Sequence, residues 1–262
     1  MIEKITINLF YIFLPFICFS QVRIVPVSPT PFPEFAETKI VFPRAGSISS
    51  NPVSIQIRVD GYPLGSMSQF NRAKRLLDDP MGQSLRIIID NNPFISKYVA
   101  SEDSFDEDRA FYDKIISFEL QNLSPGEHVM RTYLARSYGE ALRAPKAFST
   151  RIFFVGEKKR TIGFVASRPL LTYNEPQGIF EEEKANPILL DFILTNVELS
   201  EDGYKVRLRI DNQQIEDIDH WSPYYIYGLS KGSHSINIQL IDKNNQFVEG
   251  PYNNITREVI IK

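Results

Sequence analysis

Apolar and polar residues alternate with a period of two along most of this chain. In NPVSIQIRVDG, Val53, Ile55, Ile57 and Val59 take one phase, and Ser54, Gln56, Arg58 and Asp60 take the other. In NPILLDFILTN, Ile188, Leu190, Phe192 and Leu194 repeat that apolar phase after the same Asn-Pro. Successive side chains of a strand point to opposite faces, so each stretch predicts a strand with one buried face. The correspondence continues downstream. GQSLRIIIDNN (82–92) matches GYKVRLRIDNQ (203–213), setting Leu85, Ile87 and Ile89 against Val206, Leu208 and Ile210, with a turn-forming Asp-Asn after each. FELQNLSPGEHVMRTYL (118–134) aligns without gaps with YYIYGLSKGSHSINIQL (224–240). FSTRIFF (148–154) and ITREVII (255–261) supply a last strand each.

The chain is therefore an internal repeat whose first copy carries two insertions. One holds SMSQFNRAKRLLDDP, which predicts a short helix; the other holds the acidic stretch SEDSFDED. Short strands punctuated by turns, without helical periodicity between them, predict antiparallel β-sandwiches. In LSPGEH (123–128) and LSKGSH (229–234), Leu closes one strand, Ser and Gly make the turn, and His128 and His234 begin the next strand. These turns, with FPRAGSISSNPVSIQIRV and its Pro43 and Gly46, resemble bacterial immunoglobulin-like and fibronectin-type-III-like modules. The resemblance implies an all-β protein of two tandem immunoglobulin-like sandwiches, at residues 37–156 and 157–262. The disulfide and core tryptophan of antibody domains are missing, so a true antibody-type domain is not expected.

The remaining segments are of a different kind. Ile5 to Phe19 is a nearly uninterrupted apolar run, too short to span a bilayer comfortably. It suits the apolar region of a secretory signal at residues 1–20, with Cys18 and Ser20 as the small residues before cleavage between Ser20 and Gln21. Bulky Ile17 before Cys18 argues against a lipid-modified cysteine. As Cys18 is the single cysteine, the mature chain would rely on core packing without disulfides. Residues 21–36, with Pro26, Pro29, Pro31 and Pro33, predict an extended spacer without a core of its own.

Composition narrows the function more than it identifies it. The 262 residues are 43% hydrophobic and 12% aromatic, which is globular. A formal charge of −3 leaves no basic excess for nucleic acid. GLSKG (228–232) matches a nucleophile-elbow pattern, but that motif needs a strand feeding a helix, and here it joins two strands. His128, His220 and His234 lack the paired spacing of a metal site, and the first and last read as hydrogen-bonded residues at strand starts. Residues 102–108 cluster carboxylates but lack the turn glycine of a calcium loop. Two sequons, at Asn122 and Asn254, matter only in a eukaryotic secretory pathway.

One stretch differs between the copies. Outward positions that are mostly polar in the first copy, Ile115 to Gln121, become Trp221, Pro223, Tyr225 and Tyr227 in the second. Such a stripe either anchors a protein or sugar partner or packs against a neighbouring part of the chain. Trp221, Tyr225 and Tyr227 are thus the candidate binding residues. No catalytic, cofactor-binding or metal-binding residues are assigned. The expected function is that of an exported, non-enzymatic binding or spacer module. Its partner would be an envelope protein or glycan, with no nucleic acid and no membrane span in the mature chain. The alternatives are a carbohydrate-binding module and a polysaccharide hydrolase, the latter requiring two carboxylates roughly 5–10 Å apart in a deep cleft.

Overall fold

The computed structural model describes residues 21–98 and 114–262. The expected signal segment 1–20, including Cys18 and Ser20, and the acidic stretch 102–108 lie outside the described residues.

The chain enters through strand β1 (Arg23–Pro26). The first half then forms β2 (Glu37–Phe42), β3 (Ile48–Ser49), β4 (Val53–Asp60), β5 (Ser84–Ile89), β6 (Ile95–Lys97), β7 (Lys114–Leu120), β8 (Gly126–Ala135) and β9 (Phe148–Val155). The second half forms β10 (Leu170–Glu175), β11 (Gly178–Phe180), β12 (Ile188–Thr195), β13 (Lys205–Ile210), β14 (Gln213–Ile218), β15 (Tyr224–Tyr227), β16 (Gly232–Ile241) and β17 (Asn254–Ile261). The helix expected in the first insertion is a single 3₁₀ turn, Asn71–Lys74, with no side-chain cap at its start.

These strands make four sheets. In the first half, the order β2-β4-β7 faces β3-β9-β8-β5-β6; in the second, β1-β15-β12-β10 faces β11-β17-β16-β13-β14. Each repeated pair from the sequence occupies the same place in its own sheets: β4 and β12, β5 and β13, β8 and β16, β9 and β17. Pairing is antiparallel except where β3 and β11 run parallel to β9 and β17. Each sheet pair encloses an apolar core. Val53, Ile55, Ile57, Leu85, Ile87, Met130 and Phe153 pack in the first, and Ile188, Leu190, Phe192, Val206, Leu208, Ile236 and Ile238 in the second. The all-β sandwich architecture follows directly from the alternation.

The proline-rich stretch is not a free spacer. Strand β1 pairs antiparallel with β15, Arg23 opposite Tyr227 and Val25 opposite Tyr225, adding an edge strand to the second half. Val22 and Ile24 pack against the second core. Proline suits this edge strand because its own nitrogen is not needed by the ladder, while the next N–H, that of Val27, donates to Pro223 O at 2.9 Å. Beyond β1 the chain runs back to the first half: Tyr138 donates to Thr30 Oγ1, Arg136 donates to Pro31 O, and Thr30 N donates to Glu140.

Candidate functional site

Strands β5, β8, β10 and β12 are buried along nearly their whole length, on both faces. The second buried face of each is a seam where the β5–β8 sheet lies against the β10–β12 sheet. Residues in phase with Leu85 and Leu134 fill the first core; the opposite phase (Arg86, Ile88, Arg131, Tyr133) meets the second half. Thr172, Asn174, Asp191 and Ile193 answer from β10 and β12. The molecule is therefore four sheets deep.

The seam is polar as well as apolar. Asp191, 0% exposed, accepts from Arg143 Nη2 at 2.6 Å, from the Ala141 N–H at 2.9 Å and from Asn174 Nδ2 at 2.7 Å. Arg86 reaches Glu175 at 2.7 Å and also donates to Asn174 and the Gly139 carbonyl. Arg131, 1% exposed, donates to Thr172 at 3.1 Å and lies 4.1 Å from the centre of the Tyr252 ring. Glu140 holds Arg72. Burial pushes the Arg131 guanidinium down to about 10, and pushes the Glu175 carboxyl up despite the opposing Arg86 charge. Gly139 (φ +93°) lets the backbone come this close, since a Cβ there would stand 2.9 Å from Glu175 Oε1. Charges withdrawn from water must stay matched, so sliding one sheet over the other would strand several of them.

The sequence pattern carried a signal for this seam that alternation alone conceals. Leu189 and Ile193 flank Asp191 in the phase that should face solvent, and Ile88 does the same beside Arg86. Apolar residues in both phases mean a strand buried on both faces, and a lone charge among them needs a partner.

The aromatic stripe lies at this seam. Tyr224 and Ile226 point into the second core, so the outward phase of Trp221, Tyr225 and Tyr227 is as expected. That face is covered, however. Tyr225 is only 4% exposed, packed with Leu76, Tyr138 and Leu189, and the Arg75 guanidinium sits 5.2 Å from its ring centre. Tyr227 accepts from Arg75 at 3.0 Å and lies under Arg23, 4.3 Å away. Trp221 donates to Phe192 O at 2.8 Å beside Arg143. The physical reason is intramolecular: the first half's insertion and β1 supply partners for Tyr225 and Tyr227, and β12 and Arg143 supply them for Trp221. Tyr225 offers no open face.

The repeated turn has a specific construction. His128 bonds Asp90 Oδ2 through Nδ1 and the Ser124 carbonyl through Nε2, both at 2.8 Å. His234 bonds Asp211 at 2.7 Å and the Ser230 carbonyl at 2.8 Å in the same way. Each aspartate's other oxygen accepts the N–H after the histidine. Asn122 and Gly228 share the left-handed conformation (φ 61° and 83°), which explains why the copies differ there by Asn for Gly. GLSKG joins β15 to β16. Both histidines are structural clasps.

A cavity of about 300 Å³ opens beside the seam, lined by Leu76, Asp78, Asp79, Arg86, Phe94, Tyr98, Tyr138, Glu175, Phe180 and Leu189, among others. It is one of several cavities among the described residues, and larger ones lie elsewhere on the chain. Among the described residues, no three His, Cys, Asp or Glu side chains are grouped to hold a metal ion.

No known family profile matches the chain, and no curated protein does. Some solved structures are distantly similar to the chain. Fibronectin(III)-like modules of Clostridium thermocellum CbhA are 12% identical, over 86% of this chain and 94% of that one, with a TM-score of 0.29. Dimeric latent PorU from Porphyromonas gingivalis is 12% identical over 87% of this chain and 20% of that one, with a TM-score of 0.30. The Bacteroides ovatus SGBP-B, solved with a mixed-linkage heptasaccharide, is 12% identical over 93% and 48%, with a TM-score of 0.18. The ligands and activities of those proteins stay with those proteins.

Proposed function

We propose that the chain is an exported, non-enzymatic module of the cell envelope or extracellular space, acting as a rigid binding and spacer block. In this reading a signal at 1–20 is removed before Gln21, residues 37–156 and 157–262 are the two modules, and residues 21–36 strap them together. The observation that carries it is the seam: Asp191 and Glu175 of the second half are matched by Arg143 and Arg86 of the first. Domains joined by a small polar contact move relative to one another by default. A seam of buried, matched charges crossed by a strap instead fixes one orientation, as a spacer requires.

The test is crosslinking in intact cells, followed by fractionation and capture of the tagged protein. The reading predicts recovery outside the cytosol, with Gln21 as its first residue, joined to an envelope protein or glycan. Recovery from the cytosol with Met1 retained and nothing attached overturns it.

A hydrolase reading draws on one observation, the carboxylates Asp78, Asp79 and Glu175 around the seam cavity. Glu175 is held by Arg86 at 2.7 Å, a pair that must break before it could deliver a proton. Sugar release from envelope polysaccharide by the wild-type protein, abolished in E175Q, would replace the module reading.

A further inference from the structure

Between β9 and β10, residues 156–168 carry four cations (Lys158, Lys159, Arg160 and Arg168) against one acid, Glu157, in a chain whose formal charge is −3. This stretch lines a cavity of about 440 Å³. The apolar lining is Ile152 and Phe154 of β9, Ala45 and Gly46 of the bend before β3, and Phe164. The charged lining is Arg151, Lys158 and Arg160, with no carboxylate among the lining residues. Arg151 is tied to the Ile40 carbonyl at 2.8 Å. The Lys158 ammonium stands 5.9 Å from the centre of the Phe154 ring, which places its charge at the wall, and it has no ion-pair partner among the described residues. Arg160 is exposed, and Glu127 comes only within 4.0 Å of it. That carboxylate is itself fully buried and gives its other oxygen to the Thr161 and Ile162 N–H groups. A concave surface of one sign over apolar walls focuses the field and concentrates counter-ions.

We propose that this cavity docks an acidic segment of a partner protein, whose carboxylates meet Lys158 and Arg160. Charge complementarity selects the occupant: two cations without a close partner face a cavity that supplies no anion. The cavity's rings do not suit a sugar. Phe154 and Phe164 are 2% and 3% exposed, so neither offers an open face for a sugar ring to stack on. Recognition is left to the charges, which an acidic side chain meets on a short, flexible stem. The proposal names the partner chemistry of the module reading and rests on it for the occupant being part of a protein.

Fluorescence anisotropy provides the test. The probe is fluorescein-labelled hexaglutamate, with labelled hexaglutamine as the uncharged control and polygalacturonate as a glycan competitor. The proposal predicts saturable binding of hexaglutamate that falls with added salt and weakens about tenfold in K158Q/R160Q. K205Q/K243Q removes the same charge elsewhere in the second half and should bind like the wild type. Neither Lys158 nor Arg160 makes a side-chain hydrogen bond among the described residues, so K158Q/R160Q should also melt with the wild type. No saturable binding of hexaglutamate, equal binding of hexaglutamine, or an equal loss in the two double variants overturns the proposal. So does stronger displacement by polygalacturonate than by unlabelled hexaglutamate at the same carboxylate concentration, which would make the occupant a glycan. The module reading would survive such a failure, since it is judged by export and by what the protein is crosslinked to in cells.

Discussion

Arg143 and Asp191 come from different halves of the chain and meet at 2.6 Å in a place where Asp191 has no exposure at all. The aspartate's second oxygen is bonded to the Ala141 N–H and to Asn174, so three donors converge on one carboxylate. The halves are joined by matched charge at the centre of the seam.

Removing one partner of this pair should be costly. D191A leaves the Arg143 charge buried beside Glu140 and leaves the Ala141 N–H without an acceptor. The expected loss is about 3–5 kcal/mol in chemical denaturation, the range for breaking a buried ion pair. R143A should cost a similar amount, and the double variant should cost clearly less than the two losses added. Simple additivity would mean that the two residues are not coupled.

Tyr225 should behave as packing. Y225S removes a ring packed among Leu76, Tyr138 and Leu189, and should cost about 3 kcal/mol, in line with aromatic truncations in cores. Y227S, on a ring that is only partly buried, should cost less. Calorimetry in which Y225S melts with the wild type would return the stripe to the role of an open binding face.

The histidine clasps predict how stability responds to pH. Both nitrogens of His128 face acceptors, the Asp90 carboxylate and the Ser124 carbonyl, so only the protonated ring satisfies both. Asp90 holds the proton on His128 above the ordinary 6.5. Burial works the other way at His234, but Asp211 and the Ser230 carbonyl outweigh it, and its value is raised too. Groups raised in the folded state stabilise fully below the unfolded value of 6.5 and lose that contribution as pH rises through the folded values. The denaturation midpoint should therefore fall as pH rises above 6.5 through the raised folded-state values, and H128Q/H234Q should flatten the curve. A slope of the wild-type size in that double variant would discard the clasp account.

The strap can be cut directly. A chain beginning at Ser28 lacks β1, uncovers the β15 edge and removes the contacts of Val22 and Ile24 with the second core. The expected result is a lowered melting temperature of the second half and self-association through the open edge. A truncated chain with unchanged melting and a monomeric profile would mean that β1 contributes nothing to either.

The sandwiches were legible because each core strand has one apolar phase: Val53 to Val59 and Ile188 to Leu194 announce their buried faces by alternation alone. The turns were legible for the same reason, with Asn122 and Gly228, then Gly126 and Gly232, marking positive φ. What was not legible was what covers the other face. Tyr225 and Tyr227 look like an exposed stripe until Arg72 and Arg75 of a distant insertion are seen over Tyr225. The pairing of Arg23–Pro26 with β15 was hidden too, because edge pairing depends on which strand end lies open in space and leaves no periodic mark.

The central claim is that the two halves form one rigid block, and the distance across it is the most direct measurement. Spin labels placed at Ser54 on β4 and Gln213 on β14, both exposed on the outermost sheets, report the full depth of the four layers by pulsed electron paramagnetic resonance. Cys18 is replaced by serine so that the two labels are unique. The account predicts one narrow distance distribution in the wild-type background, broadened when D191A is added. A broad or multiple distribution in the wild-type background would contradict it, because the seam would then be a hinge.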